Sequence, residues 1–222
     1  MKIIRPKCFS IILGATAFFG IPATKSHGDP HGAAGPQGEA GLGSGYWRMW
    51  AVVFFGVSVE WAISFWCMTY LTGVPGSNRD LAATGTILLG FSMVAGRFSA
   101  GVVSSRLREK TMLLASIGFV LAGFPLYRLG LNLPLTLTGL ALAGFGAANF
   151  YPVAVSMALG HAPGATARAS SLIPVASGSA IGLAPFLLGR LADLTNLQSA
   201  LWYIPIGTVL MLALLAGDRP AR

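Results

Sequence analysis

The chain has 222 residues, of which 54% are hydrophobic and only 10% charged, with a mean hydropathy of +0.69 and a formal net charge of +8. A soluble domain carries about a quarter charged residues, so this composition cannot cover a water-facing surface. The basic residues stand singly between apolar runs, with no basic patch or stacking motif, which argues against a nucleic-acid partner.

Residues 1–47 form a distinct segment. "MKIIRPK" is basic, the apolar run 8–23 is short for a membrane span, and "SHGDPHGAAGPQGEAGLGSG" is a Gly/Ala/Pro/His-rich stretch. We read it as an incomplete upstream apolar segment followed by a flexible cytoplasmic linker. The other reading, a signal peptide, would export the linker and start the first full span outside, against the charge count below. His27, Asp29 and His31 have no further ligand nearby, so no metal site is expected. Cys8 and Cys67 lie in apolar stretches and imply no disulfide framework.

Six stretches then meet or approach the roughly 20 apolar residues needed to cross about 30 Å of hydrocarbon. They are residues 49–72, 81–103, 112–129, 134–159, 170–191 and 201–216. The short loops between them hold turn chemistry, as in "GVPGSNRD" and "GHAPGATA". Short loops force antiparallel neighbours. The expected architecture is an all-α membrane protein: a six-helix transmembrane bundle over 48–217, preceded by the flexible segment and followed by a short tail, 218–222.

Orientation follows from Lys and Arg near the span ends. Arg48, Arg106, Arg108, Lys110, Arg168, Arg219 and Arg222 gather on one side, against Arg79, Arg128 and Arg190 on the other. The richer side, which includes the C-terminus, is expected to be cytoplasmic.

The first span contains "FFGVSVEWAISFWCMTYL", with Glu60 about halfway along. An ionised residue there costs about 3 kcal/mol on insertion scales, so it is expected to face the bundle interior or a water-filled cavity. Burial disfavours the charged form, and a carboxylate that is neutral in one conformation and ionised in another can carry a proton. The alternative is a structural Glu bonded to a neighbouring helix. Ser64 shares its helix face at i+4 and can reach its oxygens. Trp66 is either a ligand contact or packing; Trp61 is expected to face elsewhere.

In the second span, "GFSMVAGRFSAGVVSSRLREK", Gly96, Ala100 and Gly101 permit close helix approach. Arg97 can snorkel, or pair with a helix C-terminus or an acid on another helix. The fourth span, "GLALAGFGAANFYPVAVSMALG", offers Gly139, Gly144 and Gly146 for close packing. It adds Asn149 and Tyr151 as polar groups, while Pro152 kinks or loosens the helix. Asn149 needs a partner, a neighbouring helix or a ligand. The fifth span has Gly178 and Gly182 in G-x-x-x-G spacing and prolines at 174 and 185. Together these residues describe a bundle built to flex.

No Ser/His/Asp set, H-E-x-x-H, P-loop or suitably placed G-x-G-x-x-G occurs, so neither catalysis nor ATP-driven transport is expected, and no cofactor.

The segments "GVSVEWAISFW", "GRFSAGVVSSRLREK", "GFGAANFYPVAVSMA" and "GLAPFLLGRLAD" give the chain, over about 47–216, a resemblance to the C-terminal six-helix half of a major facilitator superfamily transporter. The Glu60-x-x-x-x-x-Trp66 pattern is most similar to the fucose-permease-like sugar transporters. The resemblance implies proton-coupled transport of a small polar solute such as a sugar, in a plasma (inner) membrane. It implies substrate or proton roles for Glu60, Trp66, Asn149 and Tyr151. It maps Gly96, Arg97, Gly101 and Arg106 onto the family's gating motif, although Ser105 stands where that motif often has an acid. Such transporters join two six-helix bundles around a midplane site. The resemblance therefore implies pairing with a second half or self-association; otherwise the chain is a non-transporting membrane subunit or an inactive fragment.

Overall fold

The computed structural model describes residues 41–217; the apolar run 8–23, the candidate ligands His27, Asp29 and His31, and the tail 218–222 lie outside the described residues. Eight helices are described: α1 (Ser44–Thr72), α2 (Arg79–Val103), α3 (Glu109–Leu129), α4 (Leu133–Ala147), α5 (Phe150–Gly160), α6 (Thr166–Leu194), α7 (Leu197–Ala200) and α8 (Tyr203–Ala216). α4 with α5, and α7 with α8, each act as one span, giving six spans long and apolar enough to cross a membrane. The protein is thus an integral, multi-pass membrane protein. Helices suit this solvent because they satisfy their own backbone donors and acceptors where no water can.

Three loops at one end of the bundle are built alike. Asn78, Asn132 and Asn196 each accept a hydrogen bond from the backbone N–H three residues on (2.8, 3.0 and 2.7 Å), starting α2, α4 and α7. Each cap satisfies one of the donors a helix start leaves orphaned. Gly130 ends α3 with φ of +57°, a conformation that favours glycine. At the opposite end, the Arg48 guanidinium donates to the carbonyl of Gly217, tying the beginning of the first span to the end of the last. α1 opens at Ser44, ahead of the start expected from hydropathy.

α1 is the central helix. Its Tyr46 hydroxyl donates to the Ala169 carbonyl (2.7 Å), Trp50 Nε1 to Leu172 (2.9 Å) and Trp66 Nε1 to Pro185 (3.2 Å). All three acceptors lie on α6, and both series ascend in sequence, so the first and fifth spans run parallel.

The glycines of the fourth span do not share one face. Gly139 and Gly146 lie against α3, where added Cβ atoms would meet the backbones of Tyr127 and Ser116, whereas Gly144 lies against Leu89 and Ser92 of α2. The fourth span is therefore held on two sides. Gly178 and Gly182 meet no atom within 4 Å, so their spacing packs no helix within the described bundle.

Candidate functional site

The site begins with a proline. Between α4 and α5 the fourth span loosens: Asn149 N–H bonds back only three residues, to Gly146 (3.2 Å). Four residues after Ala148 comes Pro152, which has no N–H to give that residue's carbonyl. A carbonyl freed inside an apolar bundle must find another donor. Arg97 of α2 supplies it: Nε donates to the Ala148 oxygen at 3.2 Å.

The same guanidinium reaches a third helix. Arg97 Nη2 donates to Glu60 Oε1 of α1 at 2.9 Å, forming an ion pair and charge-assisted hydrogen bond. Glu60 is thereby turned inward, its side chain only 11% exposed, while the Arg97 side chain is 56% exposed. Close approach makes this reach possible. A Cβ at Gly96 would collide with the Phe145 carbonyl, so α2 lies directly on the backbone of α4 one residue before the arginine. Three helices meet at one guanidinium.

Arg97 also lines a cavity of about 360 Å³ with Ser104, Glu109, Met112, Asn149 and Ser156. Ser156 donates to the carboxylate of Glu109, joining α5 to the start of α3. Asn149 is buried; its Nδ2 donates weakly to Phe145 (3.4 Å), and its Oδ1 has no partner among the described residues. Arg97 Nη1 likewise makes no hydrogen bond to a described residue. Arg97, with a spare donor, and Asn149, whose unpaired acceptor is itself buried, therefore line one cavity.

The other expected residues fall in different places. Ser64 does not serve the Glu60 carboxylate: its hydroxyl donates to the Glu60 main-chain carbonyl at 2.8 Å. That local i→i−4 bond is always within reach in a helix and competes successfully. Trp66 is half-buried, its Nε1 bonded to Pro185 of α6 and its ring lying against Gly189. Trp61 is exposed, and so is Tyr151, which makes no side-chain hydrogen bond to a described residue. Gly101 and Pro152 line the same cavity as Arg97, whereas Arg106 is exposed in the loop after α2. Ala148 was not singled out by sequence reasoning, although Pro152 four residues on was the signal. Ser104, Glu109 and Ser156 carried no such signal.

Among the described residues no group of three or more His, Cys, Asp or Glu side chains is placed to hold a metal ion.

The six-span apolar bundle has a counterpart among solved structures. The chain matches the crystal structure of a major facilitator superfamily transporter, FucP, in the outward conformation, with a TM-score of 0.72 and 18% identity. The match covers 80% of this chain and 43% of that one, so the matched region is less than half of the solved chain. No protein-family model and no curated protein matches the sequence. The fold is that of one six-helix half of a major facilitator transporter.

Proposed function

We propose that the chain is the solute-binding half of a secondary transporter that moves a small polar solute, of sugar size and hydroxylation, coupled to protons through Glu60. The observation that carries this reading is the Arg97 junction: one guanidinium holds the Glu60 carboxylate and the proline-freed Ala148 carbonyl across three helices. Protonating Glu60 would remove the ion pair and weaken one arm of that junction, linking proton binding to helix position. Gly96 and Pro152 would allow the movement, with Arg97, Asn149 and Pro152 bordering the solute. Gly101 lies at the moving end of α2 and Arg106 in the loop after it, and Ser64 and Trp66 stiffen α1. Tyr151 and the Gly178–Gly182 face, both exposed, would meet a second six-helix half or a second copy. The basic end would lie in the cytoplasm of a plasma-membrane protein.

A second reading, a non-transporting membrane subunit, is favoured by the same junction, because an ion pair anchored to a backbone carbonyl also serves as static glue. Two measurements on the full chain, purified with its bound partners and reconstituted in vesicles, separate the readings. Glu60→Gln should abolish proton-driven solute accumulation while leaving solute counterflow. Accumulation that survives the change removes the coupling role; absence of any flux by the wild type leaves the structural reading.

A further inference from the structure

We infer that the solute is an anion, a sugar acid or similar hydroxylated carboxylate, whose carboxylate docks on Arg97 as Glu60 takes up a proton. This rests on the transport reading and specifies its substrate.

The argument starts from the unused part of the arginine. Nε and Nη2 are committed to Ala148 and Glu60, whereas Nη1 makes no bond to a described residue on a side chain that is 56% exposed and borders the cavity. A planar guanidinium with an open donor edge suits a carboxylate better than a neutral hydroxyl, since charged acceptors bind about twice as strongly. Asn149 and Ser104 line the same cavity.

The charges around the pair then require a proton. Glu60 and Arg97 together are neutral. From the elements packed about them, α4, α5 and α8 contribute no Asp, Glu, Lys or Arg, and the charged residues of α6 (Arg168, Arg190 and Asp193) lie near its ends. α2 otherwise has only Arg79 and Asp80, at its far end. α3 brings Glu109 to the cavity wall, where it accepts from Ser156; the other charges of α3 are Lys110, beside Glu109, and Arg128, at the far end, and α1 otherwise carries only Arg48, near its start. A second carboxylate on Arg97 would leave an uncompensated negative charge beside the largely buried Glu60 carboxylate, which is disfavoured. One proton from water on a Glu60 oxygen restores neutrality: the Arg97–Glu60 ion pair breaks, the Arg97–solute ion pair forms, and Glu60 remains as a neutral acid. Binding an anion with one proton is electroneutral.

The test compares D-gluconate with sorbitol, the same carbon chain with an alcohol in place of the carboxylate. Affinities are measured calorimetrically on the full chain in lipid nanodiscs at about pH 6 and about pH 8, where gluconate stays ionised. Uptake of one proton makes wild-type gluconate affinity fall with rising pH, by up to about tenfold per unit wherever Glu60 is ionised in the empty protein. Glu60→Gln, a neutral isostere, should bind gluconate as tightly as wild type at low pH, with a flat pH profile. Arg97→Gln should lose at least about tenfold at both pH values, and Arg97→Lys, which keeps the charge without the fork, should recover part of it. Sorbitol should bind at least about tenfold more weakly than gluconate throughout. Thermal unfolding of each variant identifies any that fails to fold, and Glu60→Gln alone then decides through its pH profile. Equal binding of sorbitol and gluconate overturns the anion assignment while leaving a transported neutral solute in place. A gluconate affinity with the same pH profile in wild type and Glu60→Gln overturns the coupling to Glu60. Binding of neither overturns the anion assignment, and if flux is also absent the transport reading falls with it.

Discussion

Arg97 fills the hydrogen-bond vacancy that Pro152 creates, although the two residues lie on different helices: its Nε donates to the Ala148 carbonyl at 3.2 Å, the group that a helical N–H at position 152 would otherwise hold. The backbone defect of one helix thereby positions the cation of another, and that cation positions Glu60.

Pro152→Ala restores the missing donor. A proline inside a helix costs about 3 kcal/mol, part of which Arg97 already offsets here, so the substitution should stabilise the bundle by about 1 kcal/mol. Arg97 then competes with an intrahelical N–H for Ala148, and Glu60 is held less firmly. Thermal unfolding should move upward while solute flux falls; lower stability would show that the break is not a cost the helix bears.

The strength of the junction is accessible by a double-mutant cycle between Glu60→Gln and Arg97→Gln. Removing one partner of a fully buried pair costs about 3–5 kcal/mol, but the half-exposed arginine is partly solvated, so a coupling of about 1–3 kcal/mol is expected. Reversible unfolding in mild detergent measures it. A coupling near zero would mean the two side chains part in solution.

Gly96 should tolerate nothing larger. Its added Cβ would overlap the Phe145 carbonyl, which is backbone and cannot swing aside, so Gly96→Val should destabilise by about 1–3 kcal/mol or more and disturb the Arg97 contacts. Gly101→Ala, five residues on and facing open space, should instead be neutral or stabilise by up to about 1 kcal/mol. Comparing the two melting temperatures isolates contact from propensity.

Gly178→Leu and Gly182→Leu should be neutral for the single bundle or stabilise it by up to about 1 kcal/mol each, because neither glycine touches another helix. Cross-linking or native mass spectrometry should show whether association with a second bundle falls. Unfolding of the bundle itself would show that this face packs internally.

Much of the architecture was legible before folding because its causes are local. Apolar runs of the required length specify the spans, and Pro152 marks a loosened helix wherever it packs. A carboxylate at position 60 had to turn inward, since lipid offers it nothing. Ser64 shows the limit: a neighbour on the same face was available for the carboxylate, yet the nearer main-chain carbonyl took its hydroxyl.

What folding alone decided is which side of each helix meets which neighbour. A soluble helix announces its buried face by the period of its apolar residues, but lipid is as apolar as a protein core, so a membrane helix is hydrophobic all round and its rotation is unmarked. Hence the composition and order of the chain determined a six-span bundle with a buried acid and a weakened fourth span. Only tertiary packing, through backbone contact at Gly96 and the opposed glycine contacts of α4, brought Arg97 to Glu60 and Ala148 and turned Gly178 and Gly182 outward.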